Sequence, residues 1–133
     1  MPGLTNIASI GAGSYHSLAV DANGDLWAWG ENPHGGLGVD PASGPDSCGV
    51  NRCSTTPVRV AGIQDVVAAY GGDYHTIALT SDGSVWGWGV HLGRGDGTTE
   101  DRHEPVRLPN LGVVDWIDSA WYTSFAVDAS GTA

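Results

Sequence analysis

The feature that most constrains this chain is one stretch that occurs nearly three times. Gly72-Asp73-Tyr74-His75-Thr76-Ile77-Ala78-Leu79 runs through Ser81-Asp82-Gly83 into Val85-Trp86-Gly87-Trp88-Gly89. Fifty-nine positions earlier stand Tyr15, His16, Leu18, Ala19, Val20 and Gly24, then Trp27, Trp29 and Gly30. Forty-eight positions later stand Tyr122, Phe125, Ala126, Val127 and Gly131. A strand-rich unit of about 50 residues that recurs along a chain buries each copy against the next, as propellers and β-solenoids do. The expected organisation is a single repeat region, 1–133. Copy one covers 4–60, copy two 63–108, and a shortened third copy 111–133.

Within each copy the side chains alternate with period two. His16, Leu18 and Val20 share one face, and Ser17, Ala19 and Asp21 the other. The same split separates His75/Ile77/Leu79 from Thr76/Ala78/Thr80, and Thr123/Phe125/Val127 from Ser124/Ala126/Asp128. Large residues on one face and small ones on the other suit sheets stacked face to face. The turns Ala22-Asn23-Gly24, Ser81-Asp82-Gly83 and Ala129-Ser130-Gly131 end in glycine, which supplies the positive φ of a tight hairpin. Trp27/Trp29 and Trp86/Trp88 then bring a large apolar payload, read as core. The connections 31–56 and 90–104 lack periodicity and read as surface loops. Each leads into a short outermost strand that starts at a proline, Pro57-Val58-Arg59-Val60 or Pro105-Val106-Arg107-Leu108. That makes ten strands: two sets of four, then Val113 to Ile117 and Tyr122 to Asp128.

Five arginines, no lysine and 15 acidic residues give a formal net charge of −10. Phosphate backbones are held by clustered Lys and Arg, so a nucleic-acid partner is disfavoured. Without lysine, no Schiff-base or lysine-nucleophile chemistry arises within the chain. No run approaches the roughly 18–20 apolar residues of a membrane span. Met1-Pro2-Gly3-Leu4-Thr5-Asn6 has neither the basic nor the apolar region of a signal peptide. Four residues separate Cys48 from Cys53, which is not a zinc-knuckle spacing, and no second pair exists to complete a tetrahedral site. A disulfide between them is expected, at about 2 kcal/mol on the loop-entropy estimate, with two free thiols as the alternative. It implies an oxidising, extracellular or cell-surface location.

No catalytic set assembles from the pattern. His16 and His75 recur at matching places and read as a hydrogen-bonding element of each repeat, because no third group is spaced to orient them. Asp21-Ala22-Asn23-Gly24-Asp25 lacks the terminal glutamate of a calcium-binding hand and reads as turn chemistry. His91, Asp96 and His103 offer one alternative, a metal site, against the default of a solvated loop. Gly93-Arg94-Gly95-Asp96-Gly97 lacks the lysine of a phosphate-binding loop. No cofactor is therefore expected. The candidate protein-binding positions lie in the connections: His34, Asp40, Asp46, Arg52, His91, Arg94, Asp96, Glu100, Asp101 and His103.

Together these residues resemble the regulator of chromosome condensation repeat family. The likeness rests on Gly72 to Leu79, on Gly83 with Val85-Trp86-Gly87-Trp88-Gly89, and on Pro105-Val106. Gly30-Glu31-Asn32 with Gly35-Gly36-Leu37-Gly38 is similar to the family's Gly-x-Asn-x-x-Gly-Gln-Leu-Gly, with Gly36 in place of Gln. The third copy departs from the pattern at Ala120 and Thr123. The resemblance implies a seven-bladed β-propeller of four-stranded antiparallel blades. About two and a half blades are present here, so the chain is expected to be part of a larger ring or to self-associate. The function expected is non-enzymatic: loops presented to a protein partner. The alternatives implied are a guanine nucleotide exchange factor-like regulator of a small GTPase, a secreted enzyme inhibitor, or an accessory module of a surface enzyme.

Overall fold

The computed structural model describes residues 4–39, 46–48, 51–90, 102–109, 112–120, 123–128 and 130–131. Each predicted alternation becomes a strand, and the described strands form three antiparallel sheets. The first sheet holds β1 (Ile7–Ala12), β2 (His16–Asp21), β3 (Leu26–Glu31), β4 (Asp46–Cys48) and β5 (Asn51–Arg59), in the order β1-β2-β3-β5-β4. The second holds β6 (Val66–Gly71), β7 (His75–Thr80), β8 (Val85–Gly89) and β9 (Arg102–Arg107) in simple succession. The third pairs β10 (Val114–Ala120) with β11 (Thr123–Asp128). These are two blades of a propeller and the two inner strands of another.

The repeat extends to the irregularities. The first strand of each sheet carries the same shift of register, at Ile7/Ser9, Val66/Ala68 and Val114/Trp116. One extra residue there bends the strand and sharpens its twist. A second shift recurs at Ala28/Gly30 and at Gly87/Gly89. Opposite it, Ser54 to Val58 and Arg102 to Val106 each spend five residues where the partner strand spends three. Pro57 and Pro105 sit inside these stretches, where no ladder hydrogen bond needs the N–H that proline lacks.

Three expectations about the connections need correction. The strands that carry the prolines do not begin at them, since β5 starts at Asn51 and β9 at Arg102, and in the first sheet β4 rather than β5 lies outermost. Part of the stretch 31–56 is not loop, because β4 and β5 form a hairpin with Cys48 opposite Asn51 and Asp46 opposite Cys53. The described strands therefore number eleven rather than ten. The third sheet also begins one residue later than expected, at Val114, and β11 begins at Thr123. The physical reason is common to the first two. These segments pair through backbone at the rim of a sheet, so nothing imposes the period-two pattern by which inner strands are recognised.

The sheets are held together by their side chains. Leu18, Val20, Leu26 and Ala28 of the first sheet pack with Val66, Ala69, Ala78 and Trp88 of the second, and Leu37 joins from the loop after β3. Ile77, Leu79 and Val85 form a separate cluster with Val114 and Ile117 of the third sheet. The expected match of large face to small face is thus present: Leu18 and Val20 meet a surface carrying Ala69 and Ala78. Each such aliphatic residue contributes about 1.5–3 kcal/mol on burial. Near the inner strands the backbones themselves meet. A Cβ on Gly11 would lie 2.0 Å from the Ala69 carbonyl oxygen, and one on Gly71 would lie 2.7 Å from Gly13 Cα.

The four tryptophans of the repeat are not equivalent. Trp88 is fully buried between the first two sheets, whereas Trp27, Trp29 and Trp86 are partly exposed. Trp29 pairs with Ser17, on the face of the first sheet that points away from the second. Trp88→Ala should therefore cost about 3–5 kcal/mol, and Trp29→Ala less than half of that. Urea unfolding of the two variants checks this, and equal losses would contradict the stacking order.

Candidate functional site

His16 opens β2 and is buried. Its Nε2 lies 2.8 Å from Thr76 Oγ1 on the second blade. The Thr76 hydroxyl donates in turn to the Gly36 carbonyl at 2.7 Å, and Trp88 Nε1–H donates to the same oxygen at 2.9 Å. Since the Thr76 proton is spent on Gly36, His16 Nε2–H is the donor to Thr76, which fixes the neutral tautomer. Asn32 brings Gly36 into place. Its side chain accepts from Leu37 N at 3.0 Å and donates to the Val39 carbonyl at 3.1 Å. Asn32 and Leu37 are both completely buried.

The next junction repeats the device. His75 Nε2 lies 2.8 Å from Ser119 Oγ and 3.0 Å from Ser124 Oγ. Ser124 stands 48 residues after Thr76, at the same place in the repeat. Burial, reinforced by the neighbouring His75, lowers the pKa of His16 to about 4. A ring held neutral, donating to a hydroxyl of the next blade, links sheets. The two histidines are thus spent on the fold, as their recurrence suggested.

The turn after β2 resolves the calcium-like motif. Asp21 accepts from Asn23 N at 2.9 Å, Asp25 N at 3.1 Å and Trp27 Nε1 at 3.1 Å. The bond from Trp27, followed by those from the backbone, holds its carboxyl below the usual range. Copy two has Thr80 at this place, and Asp82 takes over, accepting from Thr80 at 2.7 Å and Ser84 N at 2.9 Å. Asp25 meanwhile pairs with Arg59 at 2.7 Å. Among the described residues no group of three or more His, Cys, Asp or Glu could hold a metal ion.

Among the described residues, an aromatic cluster stands at the rim where β1 turns into β2 and β6 into β7. Tyr15 and Tyr74 stack there with centroids 4.9 Å apart and planes 6° from parallel. His34 covers Tyr74 from another side at 5.2 Å, tilted by 58°. Ser14 Oγ donates to Asp73 Oδ1, so the residues before the two tyrosines are tied as well. Gly30 and Gly89, at φ 117° and 94°, support this edge. A Cβ would lie 2.5 Å from the Tyr15 carbonyl at Gly30 and 2.3 Å from the Tyr74 carbonyl at Gly89. Those carbonyls accept from Glu31 N at 2.8 Å and Val90 N at 3.1 Å. Burial comes first in raising the Tyr74 pKa, followed by Tyr15, with Glu31 and Asp73 adding to it.

Of the expected binding positions, His34 and His103 are both described. His34 joins the stack, and His103 in β9 packs so closely on Gly35 that a Cβ there would lie 2.7 Å from the imidazole Cδ2. His103 also lines an open cavity of about 710 Å³ with Gly38, Val39, Ala61, Gly62, Glu104 and Pro105. Asp46 and Arg52 fall in β4 and β5, but their side chains lie outside the described residues, as does that of Cys48 in the expected disulfide. Asp40, His91, Arg94, Asp96, Glu100 and Asp101 lie outside them entirely. The tyrosine pair was not singled out from sequence. Its signal was an aromatic residue directly before each repeat histidine.

Two family models, both described as the Regulator of chromosome condensation (RCC1) repeat, match residues 7–35 and 23–79. The chain is 36% identical over 127 residues to Protein pim1 of Schizosaccharomyces pombe, covering 91% of this chain and 21% of that protein. It is 32% identical over 132 residues to the Ultraviolet-B receptor UVR8 of Arabidopsis thaliana, covering 94% of this chain and 28% of that one. Among solved structures, Prp20p of Saccharomyces cerevisiae superposes with a TM-score of 0.83 at 22% identity, covering 95% of this chain and 32% of that chain. Human WBSCR16 gives 0.74 at 20% identity, covering 98% and 33%. The chain therefore spans a third or less of the length of these relatives.

The buried ring of His16 generates a pH prediction. With a folded pKa of about 4 against an ordinary value of 6.5, the unfolded state binds a proton that the folded state refuses. The contribution is complete above pH 6.5 and is lost as pH falls towards 4, amounting to about 3 kcal/mol. Histidine ring signals followed by NMR should show His16 still neutral at pH 5. Titration of that ring near pH 6.5 would contradict the buried, donating role.

Proposed function

Because the chain belongs to the regulator of chromosome condensation repeat family, we propose that it is a non-enzymatic propeller module that binds protein partners through its rim. One observation carries this reading. The side chains able to do chemistry in the repeat are committed to joining blades, His16 with Thr76 and His75 with Ser119 and Ser124. The turn carboxylates of Asp21 and Asp82 are committed to their turns. His34 and Tyr15 stand instead at the edge of the sheets, where a rigid scaffold presents its connections.

Related propellers lend support. One solved structure of Prp20p concerns its binding properties to Gsp1p and histones, and another shows Kap60 bound to it. An exchange-factor role comes second, favoured by the likeness to pim1 and to Protein RCC1 of Candida albicans. Release of a fluorescent guanine nucleotide from Gsp1p separates the two readings, with binding of Gsp1p, Kap60 and histones measured alongside. A saturable complex with one of these proteins and an unchanged release rate is the expected result. Release accelerated tenfold or more would replace the binding-module reading with the exchange-factor one, and no complex with any of the three would remove its support.

A further inference from the structure

A donor without an acceptor marks where copy two departs from its neighbours. In copy one, Trp27 Nε1–H donates to the Asp21 carboxylate at 3.1 Å. Fifty-nine residues later Trp86 stands in the place of Trp27, but Thr80 stands in the place of Asp21. The Trp86 Nε1–H is buried and has no hydrogen-bond partner. Copy three returns to aspartate with Asp128, which accepts from Ser130 N at 2.9 Å. A buried donor left unpaired costs free energy, and in a native chain it calls for a reason.

The same indole ring lines an open cavity of about 380 Å³ with Gln64, Asp65, Thr80, Ser81 and Asp82. Both of its walls are supplied by described blades. Gln64 and Asp65 end the connection from the first sheet, and the others belong to β7, β8 and the turn between them. Asp65 and Asp82 are exposed, and among the described residues no arginine lines the cavity. Arg59 is paired with Asp25, and Arg107 Nε–H donates to Ser84 Oγ at 3.1 Å. An unspent donor beside two carboxylates suits a ligand that joins a carbonyl to a cation. A basic stretch of polypeptide has both, whereas a nucleic acid brings phosphates that the carboxylates repel.

We infer that the cavity beside Trp86 takes a basic segment of the protein partner, with a backbone carbonyl on the Trp86 N–H and a lysine or arginine side chain at Asp65 and Asp82. This deepens the binding-module reading and rests on it. In the free chain the N–H is covered, whereas the ring that carries it is partly exposed. A turn of the ring towards the cavity brings the N–H to the carbonyl, and no hydrogen bond of the indole has to break for that turn. Trp27 has no such freedom, since Asp21 holds its N–H. One hydrogen bond of this kind contributes a factor of about two to ten in affinity.

The test titrates the full chain with a capped peptide of alternating glycine and lysine, and with a counterpart carrying glutamine in place of lysine. The lysine peptide should bind about threefold or more tighter. Its titration should move the indole N–H signal of Trp86 in NMR spectra, identified by its loss in Trp86→Phe. The decisive variant combines Thr80→Asp with Asp82→Asn, which gives copy two the turn chemistry of Asp21 and Asn23 and leaves the net charge unchanged. With its donor satisfied, this variant should unfold at higher urea than wild type and bind the lysine peptide about two- to tenfold more weakly. Undiminished binding by the variant would show general acidity alone and overturn the inference. An unmoved Trp86 signal in wild type would overturn it as well, and that measurement stands even if the variant melts early. Equal binding of the two peptides, or none of either, would overturn it too. A protein partner bound equally well by wild type and the double variant would overturn this site and leave the binding-module reading standing.

Discussion

A four-stranded sheet with apolar side chains on both faces is unstable in water until each face is covered. That constraint organises this chain. Leu18 and Val20 are buried against the second blade, and Ile77 and Leu79 repeat the contact one blade on. Apolar burial is non-directional, however, and by itself does not fix how two sheets are rotated or offset. Direction comes from the polar links set into the apolar contact. The His16–Thr76–Gly36 chain joins a strand of one blade, a strand of the next and the loop after β3. Backbone bonds from Val66 N to the Gly24 carbonyl and from Val114 N to the Gly83 carbonyl, each 3.0 Å, pin the other end of each junction. Buried polar groups hydrogen-bonded across the junction in this way specify one arrangement among many.

Much of this was legible in the sequence, and the reason is periodicity. Where a strand has a core on one or both sides, alternation and repeat spacing report it, so β2, β3, β7 and β8 fall within a residue or two of expectation. The hairpin of β4 and β5 left no such trace, because pairing at a sheet edge asks only for backbone. The unequal burial of Trp29 and Trp88 was also invisible, since identical residues at identical places differ only in what lies across from them. The candidate site fared less well. The positions picked out lay in the connections, yet the best-defined feature of the rim is an aromatic stack assembled from two turns 59 residues apart. A single tyrosine before a histidine carries no message until the fold sets its repeat beside it.

The same geometry connects fold to function. The neutral His16 ring and the hydroxyls bonded to His16 and His75 tie the blade junctions, and the rim inherits that rigidity. Gly30 and Gly89 let the strands β3 and β8 close on the Tyr15 and Tyr74 carbonyls, so the turns that carry the tyrosines are held by backbone on both blades.

The central claim is that the repeat histidine acts across the blade junction, on the hydroxyl of its neighbour, and not as a reactive group. A double-mutant cycle of His16→Leu and Thr76→Val in urea unfolding measures that link alone. The account predicts a coupling of about 1 kcal/mol or more between the two sites, as for residues in one buried network. Strictly additive losses, with each side chain contributing independently of the other, would contradict it.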